Sequence, residues 1–509
     1  MKYKHELGRS IIVERLFYQL IYDKQFKRSM DILAILYKSN YDMTIKELGE
    51  LLNISRKTVL STVETVKKLL PSTLSLEVTE KSVKFCNSSK ESIDGMIIEI
   101  ARQTISYQVL MNAFYDKQLE IHELAEKLFV SESTLRVRIR HMNKVLSDFD
   151  CNLSFYNVSM NGSEANIRYF YYIYFSEFQE LFISAHKNEL KYCFTIYKNM
   201  KNRLVEKNAK LLNYSFQQAT RLLLITKQRM SVGKFIQIDE MFIKKIQSSP
   251  FYQEFKIIYE TENMEHFSDN SNISESECVW AYIAGLNNII YSAHSNERIL
   301  YREEPDCEDM KLKIEKILER SIEKLKIQSS DRKAFLTTHK AYLLNLSLLT
   351  KISPIFQTGE LGIKKYIIDN LETLYIFWFE CLSHLKEDEL FELASVDSMA
   401  AQLAMISSPF IYNQRDQAKR ILYSFEGEAG FVVYLESLAK ILIPQGVDGV
   451  FYYNELITPK LLEDIQPDIV VCNYQMYEEI KGCRLLKMSY IPQIQEWTRL
   501  KELIVNINI

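Results

Sequence analysis

A thirteen-residue pattern occurs twice in the first third of the chain, and it constrains the local fold more than any other feature. The copies are ELGELLNISRKTV (47–59) and ELAEKLFVSESTL (123–135), aligned without a gap at an offset of 76 residues. Glu47/Glu123, Leu48/Leu124, Glu50/Glu126, Leu52/Leu128, Ser55/Ser131 and Thr58/Thr134 are identical pairs. Gly49 and Ala125 are small where one helix must let another cross closely, and Ile54 and Val130 supply the apolar residue of a turn. Ser55 and Ser131 can cap the second helix by accepting from an otherwise orphan backbone N–H. These are the requirements of a helix-turn-helix. An ordinary helical hairpin would satisfy them once; two copies in one register argue against it.

Each motif sits inside a longer unit of the same order. The first runs from an amphipathic helix, DILAILYKS (31–39), through the motif to TVETVKKLL (62–70), which Pro71 stops. LSLEVTEKSVKFC (74–86) then alternates apolar and polar residues with the period of strands. The second runs from VLMNAFYDK (109–117) through the motif and RVRIRHMNKVL (136–146) to strand-like NLSFYNVSMNG (152–162). Helix, helix-turn-helix and β-hairpin make a winged-helix module, expected at 1–88 and again at 89–165, with the polar stretch 87–95 as the join.

On the second recognition helix, Leu135, Ile139, Met142 and Leu146 recur at spacings of three and four and should face the module core. Arg136, Arg140 and Asn143 share another flank, with Arg138 and Lys144 towards its edges and Ser133 and Thr134 at its start. A guanidinium can grip guanine or a phosphate, and Asn can pair with adenine. Ser55, Arg56, Lys57 and Thr58 at the start of the first recognition helix, with Lys67 and Lys68 at its end, form a more phosphate-like set. The alternative for either set is a solvated basic face.

The net charge of −3 does not favour nucleic acid, but its distribution does. Residues 1–90 hold 16 Lys/Arg against 10 Asp/Glu, and residues 91–165 hold 7 against 11. Positive charge therefore gathers on the first repeat and, in the second, on one helix. No apolar run approaches the roughly 18–20 residues of a membrane span, and the N-terminus carries charges inside its apolar stretch, unlike a signal peptide. The eight cysteines are dispersed, with no pair at metal-ligand spacing, which fits a reducing cytoplasm. No catalytic constellation, metal site or cofactor loop is expected; GEAG (427–430) matches neither phosphate-binding fingerprint.

Scarce glycine and proline, 13 and 9 in 509 residues, favour long helices. Residues 166–405 are helix-patterned, and their aromatic runs, such as NIRYFYYIYFSEF (166–178), are expected in a core. ETENMEHFSDNSNISESE (260–277) is polar enough for an exposed connection. Two helical bundles are expected, at 166–295 and 296–408. From 409 to 509 the pattern changes to β-α-β-α-β, through RILYSF (420–425), GVFYY (449–453) and DIVVCNY (468–474), which indicates a small parallel α/β domain. The fold class is thus mainly α and multidomain.

This order resembles the Mga/RofA-like family of Gram-positive virulence regulators and, more distantly, the anthrax-toxin-activator type. The resemblance rests on the two motifs, on Gly162, Glu164 and Arg168 leading into the first bundle, and on QPDIVVCNY (466–474). It implies that the bundles are similar to phosphotransferase-system regulation domains, tuned by histidine phosphorylation from a phosphorylated carrier protein. His186, His339 and His384 are the candidate phosphoacceptors, with His266 and His294 also near the first bundle. It further implies an enzyme-IIB-like C-terminal domain that serves in self-association, hence a homodimer. Where a IIB enzyme would carry its cysteine, after the first strand, this chain has Ser424-Phe425-Glu426-Gly427, and Cys472 is expected to pack rather than react. The function expected is a cytoplasmic transcription regulator, an activator, that binds double-stranded DNA. An RNA-binding antiterminator with similar helical domains is the alternative, and a phosphotransfer enzyme a third.

Overall fold

The computed structural model describes residues 15–39, 42–69, 74–79, 81–87, 93–178, 186–206, 215–264, 273–286, 308–359, 361–385, 389–412, 420–443, 447–475 and 483–506. The chain divides into two compact units. The first comprises 1–163, 173–185 and 360–365; the second comprises 164–172, 186–359 and 366–509. His266 and His294 lie outside the described residues.

The first unit opens with α1 (Leu16–Leu20) and α2 (Lys24–Lys38), the latter capped by Asp23, which accepts from the N–H groups of Gln25 and Phe26. β1 (Met43–Thr44), α3 (Ile45–Leu52), α4 (Arg56–Leu69), β2 (Leu74–Val78) and β3 (Ser82–Asn87) complete the first module. β3 is central in its sheet, antiparallel to β2 on one side and to β1 on the other through Met43↔Val83. That third strand, only two residues long, has no periodicity to betray it in the sequence; it makes the hairpin a wing anchored to the helix-turn-helix.

α5 (Ile93–Arg102), α6 (Ile105–Phe114), α7 (Ile121–Lys127), α8 (Glu132–Leu146), β4 (Asn152–Leu153) and β5 (Met160–Asn161) repeat the plan. Here β4 and β5 pair only at Asn152↔Asn161 and Leu153↔Met160, and Glu120↔Asn157 forms an isolated bridge in place of a third strand. Leu135, Ile139, Met142 and Leu146 are all buried, as their spacing requires. The end of α9 (Glu164–Glu177) belongs to this unit. The Glu177 carboxylate accepts from the Leu16 and Phe17 N–H groups, both at 2.8 Å, and so caps α1. Phe17, Tyr107 and Tyr174 all pack on Phe178.

Among the described residues the second unit is helical to residue 412, and the aromatic run 166–178 is buried throughout, with 166–172 in this unit and 173–178 in the first. The start of the second unit is pinned by a buried ion-pair network. Arg168, fully buried, donates to both carboxylate oxygens of Glu277 (2.6 and 2.8 Å) and to Glu164 (3.0 Å), while Arg229 donates twice to Glu164 (2.9 Å each). The second Glu277 function is to accept from the Ile236 N–H. Glu277 therefore corrects the expectation of an exposed connection over 260–277. The helices α13 (Pro250–Met264) and α14 (Glu275–Leu286), which follow α10 (Lys187–Glu206), α11 (Phe216–Ser231) and α12 (Glu240–Gln247), run into both ends of that stretch. Local polarity reads as solvent exposure when no partner is in view; a guanidinium 109 residues away makes burial of this carboxylate possible.

From residue 420 a parallel sheet takes over: β6 (Arg420–Phe425), β7 (Asp448–Tyr453), β8 (Ile469–Cys472) and β9 (Arg484–Lys487), in the order β7-β6-β8-β9. β6 and β8 are almost continuously buried, which is why they read as apolar runs. β9 was not anticipated: RLLK is short and half exposed, with no distinctive pattern.

Candidate nucleic-acid interface

The two repeated motifs fold into the same turn. In the first, the Ile54 N–H donates to Gly49 O at 2.9 Å with Asn53 in the left-handed region (φ 52°). In the second, the Val130 N–H donates to Ala125 O at 3.0 Å with Phe129 left-handed (φ 54°). Each is a Schellman-type stop of the first helix. Ser55 Oγ accepts from the Thr58 N–H and Ser131 Oγ from the Thr134 N–H, both at 3.2 Å, so both serines cap as their position demands. A Cβ on Gly49 would lie 2.9 Å from Ile54 O, so it is the backbone of the turn that demands a small residue there, while Val59 of the second helix sits at an ordinary 3.7 Å.

Around the first turn the cationic groups face outwards. Arg56, Lys57, Lys67 and Lys68 are exposed, Ser55 is exposed and Thr58 half-buried. Lys67 keeps a long i,i+3 contact to Glu64 at 3.7 Å. An open cleft of about 870 Å³ is lined by Lys46, Asn53, Ser55, Arg56 and, from the tip of the wing, Lys81. Lys46 and Lys81 escaped the sequence reading because neither lies on the recognition helix. The backbone brings Lys81 there, its carbonyl accepting from the Ile45 N–H at 2.9 Å.

The second recognition helix is less open than its composition suggests. Ser133, Arg140 and Lys144 are exposed and Thr134 is half-buried. Arg136 is held by Glu132 one turn back, at 2.6 and 2.8 Å. Two assignments need correction. Asn143 is not available to read adenine: its amide donates to Leu153 O (3.0 Å) and accepts from the Leu153 N–H (2.7 Å), tying α8 to β4. Arg138 turns towards Asp23 (3.6 Å), the cap of α2 in the first module, and is only 17% exposed, so it joins the two modules rather than facing outwards. Helical spacing put both on an outer flank; the strand and the cap that occupy that flank come from elsewhere in the chain.

The candidate phosphoacceptors separate sharply. His339, on α15 (Arg332–Ile352), is fully buried, stacked on Phe335 at 3.8 Å and close to Trp378. Its Nδ1 bonds Phe335 O and its Nε2 bonds Ser407 Oγ, each at 2.8 Å, and burial lowers its pKa to about 3. With both nitrogens occupied and no solvent access, His339 is a core residue, which corrects its assignment as an acceptor. His186 is also buried, and burial lowers its pKa. His384 is exposed at the end of α16 (Glu372–Ser383), with Nδ1 donating to Glu380 O at 2.6 Å.

At the end of β6, Glu426 is fully enclosed. It accepts from Ser215 Oγ and from the Gln217 N–H (3.1 Å) at the start of α11, and burial raises its pKa to about 8. Cys472 is buried, its thiol pushed up to about 11 by desolvation. A neutral, enclosed thiol is a poor nucleophile. Among the described residues no group of His, Cys, Asp or Glu side chains could hold a metal, and no helix is long and apolar enough to cross a membrane.

Tandem capped helix-turn-helix units with wings define a class of DNA-binding regulator. Two family matches agree with that geometry: the M protein trans-acting positive regulator (MGA) HTH domain over residues 23–82, and the Mga helix-turn-helix domain over 89–175. Among curated proteins, the chain is similar to the capsule synthesis positive regulator AcpA of Bacillus anthracis, 23% identical over 70% of this chain and 73% of that protein. It is also similar to AcpB of the same organism, 18% identical over 94% and 98%, and to its anthrax toxin expression trans-acting positive regulator, 24% identical over 29% and 31%. The family matches, confined to residues 23–175, together with the named relatives support an Mga-like regulator family for the chain. These relatives are named positive regulators, names that designate regulation rather than catalysis.

Proposed function

We propose that this chain is a transcription activator that binds double-stranded DNA through both winged modules. The observation that carries this is the repeated, serine-capped turn, which aims two helix N-termini and their polar side chains outwards in the same geometry. The first module, through Ser55, Arg56, Lys57, Thr58, Lys67 and Lys68 with Lys46 and Lys81, holds phosphates from helix and wing together. The second adds Ser133, Thr134, Arg140 and Lys144, with Arg136 free to exchange Glu132 for DNA, because an exposed i,i+4 pair is worth little. The name positive regulator carried by the relatives supports activation.

The helical stretch to residue 412 and the parallel α/β domain after it also support the regulatory part of this reading: bundles of phosphotransferase-regulation type and an IIB-like domain that mediates dimerisation. His384 is the acceptor in this scheme, since its exposed ring leaves Nε2 to attack a phosphoryl group. Phosphate there adds about −1.5 to −2 charges. Incubation with phosphorylated carrier protein should label the chain stoichiometrically and His384→Ala should abolish it; unlabelled wild-type protein would end the phosphoregulation scheme. For DNA binding, mobility shifts across a salt series on footprinted promoter fragments are decisive. A protein that binds those fragments no better than random duplex refutes the sequence-specific reading.

A further inference from the structure

The helix-turn-helix of the second module carries a side chain that neither folding nor DNA binding accounts for. Phe129 stands at the left-handed position of the turn, φ 54°, where the first motif has Asn53 at φ 52°. Glycine and asparagine suit that conformation; a bulky aromatic residue is disfavoured there. Phe129 is also 95% exposed, so its ring gains nothing from burial. Two unfavourable features coincide at one residue, and its counterpart 76 positions earlier has neither. Backbone strain and a solvated aromatic ring at one surface point together suggest a contact made outside the monomer.

The charge around the ring selects the partner. Glu123 and Glu126 precede Phe129 at intervals of three, and Glu132 follows at the same interval; all three are exposed. Lys127 is the one lysine or arginine between 121 and 133. In the first motif the positions equivalent to Glu132 and Ser133 are Arg56 and Lys57. Glu132 is paired with Arg136, but Glu123 and Glu126 on the α7 side of the ring repel phosphates. An aromatic wedge into DNA is therefore disfavoured at Phe129, while the DNA contacts proposed for this module lie on α8. An aromatic anchor inside a ring of polar groups is instead the arrangement of a protein-binding hot spot.

We propose that Phe129, with Glu123 and Glu126, is the surface by which the DNA-bound activator touches RNA polymerase, inserting the ring into an apolar pocket rimmed by lysine or arginine. This rests on the activator reading above, because an activator seated on a promoter must contact the transcribing enzyme. The acidic rim steers a basic partner and the ring supplies the buried contact.

The test uses the full chain, purified polymerase holoenzyme and a promoter fragment footprinted with the wild-type protein. Phe129→Asn installs the residue that the first motif carries, so the variant should fold with an unchanged or higher Tm. The expected result is DNA affinity within twofold of wild type and transcript yield reduced at least tenfold. Glu126→Lys should lower yield several-fold without weakening DNA binding, and Phe129→Leu should retain part of the output. Unchanged yield in Phe129→Asn overturns the proposal. A parallel loss of DNA affinity would make Phe129 a DNA contact, and a loss of self-association in sedimentation would make a second copy the partner; either overturns it too. Wild-type protein that binds no promoter, or binds without raising transcription, would instead refute the activator reading itself.

Discussion

The two helix-turn-helix copies share a backbone and differ in almost everything they show to solvent. Both stop their first helix with the same Schellman-type bond and cap the second with serine. The first then presents Asn53, Arg56 and Lys57 beside a wing-tip lysine; the second presents Phe129, Glu132 and Ser133. The positive charge of the second helix is partly consumed at home, Arg136 by Glu132 and Arg138 by Asp23. One set of internal contacts thus specifies a turn, and the residues free of those contacts set what it touches. The expectation that the first copy anchors and the second reads bases gives way to a proposal with more weight on the first.

The sharpest way to break this comparison is to strip each helix in turn. Arg56→Ala with Lys57→Ala should weaken DNA binding by about 2–4 kcal/mol and flatten the log–log salt slope by about two, measured by mobility shift. If Arg136→Ala with Arg140→Ala has the larger effect, the second copy is the principal DNA surface after all. The turns can be compared through stability. Gly49→Ala forces a Cβ against Ile54 O and should cost about 1–3 kcal/mol by denaturant unfolding. Ala125→Gly, with no such clash, should cost only about 1 kcal/mol through helix propensity.

The wings give a third contrast. Asn143→Ala removes both bonds to Leu153 and should destabilise the second module by about 1–3 kcal/mol while leaving base preference unchanged in a sequence-selection assay. A changed preference would restore Asn143 as a reading residue. The smallest effect is expected for Glu132→Ala. It frees Arg136 from an exposed pair, so stability should move by no more than about 0.5 kcal/mol, and DNA affinity should rise slightly at low salt and converge with wild type at high salt.

A separate prediction concerns the second unit and pH. The Glu426 carboxyl has its pKa raised to about 8 by burial, against 4.5 unperturbed. The folded state therefore holds a proton that the unfolded chain has released. The stability associated with that proton is intact below about pH 4.5 and is lost progressively as pH rises towards 8, at up to about 1.4 kcal/mol per pH unit. Glu426→Gln, which keeps an acceptor for Ser215 Oγ, should remove this slope in Tm between pH 5 and 8. An unchanged slope would show that Glu426 is not its source.

Much of this architecture was legible because it rests on short-range rules. The repeated motif, its serine caps, the core-facing quartet Leu135, Ile139, Met142 and Leu146, and the apolar strands after residue 420 are all set by neighbours within a turn or two of chain. The failures share one cause. Asn143 and Arg138 look outward from helical spacing, Glu277 looks exposed from local polarity and His339 looks accessible only through the resemblance, and each is claimed by a partner outside its own helix. Leu153 takes Asn143, Asp23 faces Arg138, Arg168 holds Glu277, and Ser407 with Trp378 encloses His339.

The sequence by itself thus determined that the chain carries two helix-turn-helix units, a long helical stretch and a terminal parallel sheet, because helical and strand periodicities and caps are local properties. Only the tertiary structure decided which polar side chains remain for a ligand. These hydrogen bonds and ion pairs join groups separated by 10 to 115 residues, on different elements, and spacing along one helix cannot register them. Phe129 shows the converse: its left-handed backbone and near-complete exposure, invisible in the motif alignment, turn an unremarked position of the repeat into its most specific functional difference.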